Sequence, residues 1–269
     1  MRAEQLARGT RLGEGPVWSA AWGELRWVDI LAGDLLRLDD DAIEHWHVGP
    51  RVGAIRPRAN GGVAIALERG FALADGWGSA VDVLPELWTD PALRFNDGGC
   101  DPDGRFWCGS MRYDEVAGDG VLYRMAPDRS VTRELDGLGL SNGLDWTPDG
   151  GTAYYADTLT GRVDRFAYDR DRGLHDRREF VSIPGELGHP DGLVVDAEGG
   201  VWVALWGGAA VHRYGPDGEL ESVIEIDDAE ATSMAFGGVD LDQLFITSKS
   251  GLFHSEPGVH GQSVRAFAG

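Results

Sequence analysis

Asp101-Pro102-Asp103-Gly104-Arg105-Phe106-Trp107-Cys108-Gly109-Ser110, followed by Gly120-Val121-Leu122-Tyr123-Arg124-Met125, reads as a tight turn, an aromatic-rich strand, a polar excursion and a second strand. Asp, Pro and Gly are the residues a tight turn needs: a side chain that bonds its own backbone, a fixed φ, and freedom for positive φ. The plan recurs downstream. Thr147-Pro148-Asp149-Gly150-Gly151-Thr152-Ala153-Tyr154-Tyr155-Ala156-Asp157 leads into Thr160-Gly161-Arg162-Val163-Asp164-Arg165-Phe166-Ala167-Tyr168-Asp169. A third copy runs Asp196-Ala197-Glu198-Gly199-Gly200-Val201-Trp202-Val203-Ala204-Leu205-Trp206, then Ala210-Val211-His212-Arg213-Tyr214.

With Trp107, Tyr155 and Trp202 as markers the steps are 48 and 47 residues, and Phe245 follows after 43 more. Such a period is that of a four-stranded propeller blade. Upstream, Gly23-Glu24-Leu25-Arg26-Trp27-Val28-Asp29-Ile30 and Gly61-Gly62-Val63-Ala64-Ile65-Ala66-Leu67 supply two further units, so six of roughly 45 residues each fit the chain. The pattern predicts an all-β fold, a six-bladed β-propeller with four-stranded blades, forming one domain over residues 1–269. A small twisted sheet has two apolar faces that only neighbouring blades cover, and closing the ring leaves none exposed. A β-sandwich also explains short strands but gives no reason for the repeat. No stretch keeps a helical period, and Gly, Pro, Asp and Asn interrupt the chain too often for long helices. The final unit is abbreviated, which predicts that the N-terminal segment completes the sixth blade.

Forty-five acidic against 24 basic side chains give a formal charge of −21, which repels nucleic-acid phosphates and anionic membranes. Most of these carboxylates read as a solvated surface. The first nine residues lack the apolar core and cleavage site of a secretory signal, and no later stretch is long enough to span a bilayer, so a cytoplasmic location is expected. Cys100 and Cys108 are too few for a disulfide framework and lack zinc-knuckle spacing; they read as buried thiols, with a reversible bridge across a hairpin left open.

Four segments concentrate polar residues beside glycines just ahead of expected strands: Gly13-Glu14-Gly15-Pro16-Val17-Trp18, Arg94-Phe95-Asn96-Asp97-Gly98-Gly99, Ser141-Asn142-Gly143-Leu144-Asp145 and His189-Pro190-Asp191-Gly192-Leu193. Glu14, Asn96, Asn142 and Asp191 are separated by 82, 46 and 49 residues, close to two, one and one repeats. That places them at one position of different blades, where loops entering the innermost strands share one end of the channel. Asn and Asp also occur in repeated turns because they cap turns and tolerate left-handed backbone, and that reading accounts for any one of the four taken alone. Together, two carboxylates and amide oxygens suit one hard divalent cation: calcium, magnesium, manganese or oxygen-ligated zinc. There is no dinucleotide fingerprint in a strand–turn–helix setting, no phosphate loop and no Gly-x-Ser-x-Gly elbow.

At these segments, and through Asp101-Pro102-Asp103-Gly104 to Gly109-Ser110-Met111 and Leu144-Asp145-Trp146, the chain resembles the family that groups senescence marker protein (regucalcin), gluconolactonase and luciferin-regenerating enzyme. The likeness covers nearly the whole chain. It implies a six-bladed propeller and divalent-metal-dependent hydrolysis of a small lactone, most suitably a sugar-acid lactone such as gluconolactone. Carried over residue by residue, it makes Glu14, Asn142 and Asp191 the metal ligands and Asp191 also the general base. Asn96 then faces the water or substrate at the metal, and Arg94 meets substrate oxygens. Where relatives often carry a substrate-contacting glutamate, this chain departs with Arg112-Tyr113-Asp114-Glu115, and Asp114 is the carboxylate expected there. His189 reads either as a further substrate contact or as a turn residue. The rival readings are a calcium-binding or interaction propeller without turnover, and a related hydrolase of another activated ester or a phosphotriester. The oligomeric state is left open.

Overall fold

A computed structural model describes residues 1–39 and 42–269 of the chain. Among the described residues, twenty-four strands, β1–β24 in chain order, and two single-turn 3-10 helices make up the regular structure. The strands form six four-stranded antiparallel sheets. Five are meanders in sequence order, spanning residues 13–47, 52–83, 93–138, 141–182 and 189–225. The sixth is shared between the chain's two ends: β22 (Ala231–Gly237), β23 (Gln243–Ser248) and β24 (Gly251–Ser255) are completed by β1 (Glu4–Arg8). Glu4 lies opposite His254 and Arg8 opposite Gly251, so the expected closure of the sixth blade is present. The fold is the six-bladed β-propeller that the repeat period predicts.

The recurring turn has a physical purpose. Asp101 is fully buried; its Oδ1 accepts the N–H groups of Asp103 and Arg105, and its Oδ2 accepts Trp107 Nε1 at 2.7 Å and Arg105 Nε at 2.6 Å. Asp196 repeats the arrangement with Glu198, Gly200, Trp202 and Arg213. A buried carboxylate is tolerated because four donors satisfy it, and in return it fixes the indole that packs against the next blade. Trp107 packs at a tilt against Trp146 of the following blade, with ring centres 6.0 Å apart, and Trp202 edge-to-face with Phe236 at 5.9 Å.

One marker is out of register. Asp145 pairs with Tyr154, whereas Gly99 pairs with Trp107 and Val194 with Trp202, each three residues beyond the polar residue of its inner strand. Tyr154 therefore occupies the place assigned to Tyr155, which faces the other side of its sheet and packs with Trp107 and Trp146. In a strand a one-residue shift exchanges faces.

The chain's last residues cross the end of the channel reached by the C-terminal ends of the inner strands. Gln262 Nε2 donates to Trp146 O and Val195 O, Phe267 N to Pro57 O, and Ala268 N to Gly104 O, so one segment ties several blades together. Phe267 is fully buried among Phe71, Phe95 and Phe106. Truncation to Phe267→Ala is expected to cost about 3–5 kcal/mol, the range for a buried Phe, in urea unfolding. A loss under about 1 kcal/mol would make this segment a passive cover.

Candidate active site

The six inner strands surround one axis, and all six are irregular at the same level. In β2 (Gly13–Ser19) pairing shifts between Glu14 and Val17, in β10 (Leu93–Cys100) between Phe95 and Gly98, in β14 (Ser141–Trp146) between Ser141 and Leu144, and in β18 (His189–Val195) between Pro190 and Leu193. The remaining two, β6 (Val52–Pro57) and β22, shift between Val52 and Ala54 and between Ala231 and Ser233. A bulge bends the strand and re-aims a side chain out of the ladder. The polar residues thus lie within the inner strands themselves, at the bulges, and not in loops ahead of them as their sequence position suggested. Gly15, at φ +48, provides the left-handed backbone after Glu14. A Cβ on Gly143 would stand 2.2 Å from Leu193 N, so only glycine lets the strands carrying Asn142 and Asp191 come so close. Gly53 holds the corresponding place in the second blade, where a Cβ would lie 2.4 Å from Asn96 O, so no side chain is offered at that position.

Glu14, Arg94, Asn96, Asn142 and Asp191 are all buried, and all line one cavity of 540 Å³ together with His189. Asn142 Oδ1 and Asp191 Oδ1 are without a hydrogen-bond partner among the described residues. Glu14 Oε2 accepts only the N–H of Gly15, at 3.0 Å, among the hydrogen bonds of the described residues. Asn96 differs: its Oδ1 accepts Arg94 Nη1 at 2.6 Å and its Nδ2 donates to Ser141 O at 2.9 Å. Both ends of that amide are engaged by the protein. Arg94 also donates to Phe95 O, and its guanidinium lies 5.8 Å from the centre of the Tyr113 ring.

Burial, followed by the negative charge of Asp97, pushes Glu14 up to about 8. Asp191 is pushed well above the usual carboxylate range by burial first and then by Glu14 and Asp97. Two carboxylates that are costly to ionise together, beside unpartnered oxygens, form a site that a divalent cation would complete, because its charge reverses both effects. Among the described residues no three His, Cys, Asp or Glu side chains gather to hold an ion. Glu14, Asp191 and the Asn142 amide are the candidate set, hard oxygens throughout.

Asp114 is not brought to the cavity. Its carboxylate is exposed and paired with Arg112 at 2.8 Å, while Glu115, the next residue, lines the cavity from a left-handed conformation at φ 57. Arg112 draws Asp114 away, and the turn reverses the two carboxylates. His189 lies exposed at the rim, paired across the sheet with Trp206, which also lines the cavity. Cys100 and Cys108 are buried free thiols, pushed up by desolvation.

Sequence reasoning missed two residues. Asp97, adjacent to Asn96 and buried, acts electrostatically on both Glu14 and Asp191; its place beside Asn96 in the quoted segment was the available signal. Thr158, on the 3-10 turn Thr158–Thr160, lines the cavity and accepts from Asn142 Nδ2. No local pattern marked it.

No helix among the described residues is long and apolar enough to cross a membrane. In comparisons with known proteins, the chain is 38% identical to regucalcin of Danio rerio over 88% of its own length and 82% of the relative's. It is 37% identical to a pentonolactonase of Haloferax volcanii, over 90% of this chain and 82% of that one. Among solved structures, a calcium-binding protein, regucalcin, from Agrobacterium tumefaciens superposes with a TM-score of 0.91 at 28% identity, over 98% of this chain and 97% of that one. Residues 12–250 match the SMP-30/gluconolactonase/LRE-like region, and with the ring of blades and the polar residues of its inner strands, the chain belongs to that family.

Proposed function

We propose that this protein is a divalent-metal-dependent hydrolase that opens a small lactone, a sugar-acid lactone above others. The observation carrying this reading is the pair of buried, unpartnered oxygens on Asn142 and Asp191, two residues that line a substrate-sized cavity together with Glu14. The pentonolactonase relative supports lactone chemistry, and the calcium-binding neighbour supports a hard cation. A cavity of 540 Å³ favours turnover over a closed binding site, since a structural ion leaves no such room.

Glu14, Asn142 and Asp191 would hold the ion, which when bound supplies Lewis-acid polarisation of the lactone carbonyl and a lowered pKa for water. The side chains do the rest. Asp191 takes a proton as the water oxygen bonds to the carbonyl carbon, and returns it to the ring oxygen when the acyl–oxygen bond breaks. Water is consumed and a hydroxy acid leaves, with no other reactant. Arg94, held by Phe95 O and Asn96 Oδ1, presents a fixed positive charge to substrate oxygens. His189, Glu115 and Trp206 stand at the rim, where substituents on the lactone ring would pass.

Chelator-stripped protein is expected to be inactive on a panel of aldonolactones, corrected for spontaneous opening, and to regain turnover on addition of calcium, manganese, zinc or magnesium. Folded protein that binds metal yet opens none of them supports a binding propeller or a different ester substrate. Asp191→Asn is expected to lower kcat by about 10²–10⁴-fold, the usual worth of a general base; retention of most activity with metal bound would remove Asp191 from that role. Asp114→Asn, at an exposed ion pair, is expected to leave kcat/KM within about twofold, while Glu115→Gln raises KM. The reverse pattern would restore Asp114 as the substrate contact.

A further inference from the structure

The Thr158 hydroxyl sits between the two inner strands that carry Asn142 and Asp191. It accepts Asn142 Nδ2 at 2.9 Å and lies 2.8 Å from Pro190 O, the carbonyl immediately before Asp191. A hydroxyl has one hydrogen, and a carbonyl only accepts. That hydrogen is therefore committed to Pro190, and the amide of Asn142 must turn its NH2 end toward Thr158. Its oxygen is then left on the far side of the amide from Thr158, buried and without a partner among the described residues. The turn bearing Thr158 is itself held, because the Thr158 N–H donates to Leu140 O at 3.0 Å.

We propose that Thr158 is a positioning residue that decides which end of the Asn142 amide is left unpartnered beside Asp191 and Glu14, and so sets the affinity of the site for a divalent cation; this rests on the metal reading above. The two ends of an amide have nearly the same shape, so packing alone does not choose between them. With the hydroxyl gone, the NH2 end is free to turn inward and present hydrogens to a cation. Asn96 is oriented by Arg94 and Ser141 instead, which confines the effect to Asn142. The same hydroxyl also joins the fourth and fifth blades at the level of the site.

The test is calorimetric titration of the chelator-stripped full-length chain with calcium and with manganese, well below each variant's unfolding temperature. Thr158→Val, which keeps the shape and removes the hydroxyl, is expected to weaken Kd by about 10–100-fold, the usual worth of a group that orients a ligand. Thr158→Ser is expected to stay within about threefold of the parent, because it keeps the hydroxyl. Thr158→Ala carries the same test if the valine variant does not fold. In an Asn142→Asp background the valine change is expected to have much less effect, since a carboxylate presents an oxygen whichever way it turns. Unchanged Kd in Thr158→Val, or an equal loss in both backgrounds, overturns the proposal while leaving the metal reading standing. A parent chain that binds neither ion overturns both.

Discussion

Six strands must share one axis, and the crowding there governs the rest of the molecule. Where β14 passes β18 and where β6 passes β10, the backbones approach so closely that a single Cβ would lie 2.2 Å from Leu193 N or 2.4 Å from Asn96 O. The strands accommodate each other with glycine and with a bulge at one common level. Those bulges turn Glu14, Asn96, Asn142 and Asp191 inward, so the device that lets the ring close also builds the polar cluster. The buried second strands of the blades and their interleaved aromatics then provide the apolar surface that holds the ring.

Buried carboxylates are arranged in two ways. Asp101 and Asp196, at the turns between first and second strands, are each met by four donors and serve packing. Glu14 and Asp191 receive no such company: burial and the charge of Asp97 raise both, and Glu14 raises Asp191 further. Buried carboxylates short of donors are what a binding site leaves open, in contrast to the fully met Asp101 and Asp196. Arg94 supplies one fixed positive charge beside them, and its bond to Asn96 separates the roles of two asparagines that the repeat pattern treats alike.

Much of this was legible along the chain. The Asp-x-Asp-Gly turns and their aromatic strands carry the blade period because each is a local unit, bonded within a few residues, and the abbreviated last unit pointed to β1 closing the ring. The spacing of Glu14, Asn96, Asn142 and Asp191, close to whole numbers of repeats, placed them on corresponding strands for the same reason. Two local readings failed on single-residue shifts. The turn before Tyr154 changes register by one residue, which exchanged Tyr154 and Tyr155. The turn after Met111 swings Asp114 onto Arg112 and brings Glu115 to the cavity. A strand or tight turn changes side-chain direction completely with one residue, and composition does not record it.

The sequence by itself determined the number of blades, the strand that closes them and the residue types that gather at the axis, because turn chemistry and alternation act between near neighbours. Tertiary structure decided the rest. Only the meeting of blades four and five shows that Thr158 stands between Asn142 and Pro190, and burial in the assembled channel, with Asp97 close by, raises Glu14 and Asp191. Hydrogen-bond direction across blades and the removal of water from charge depend on distances between residues far apart in the chain, which no pattern along it contains.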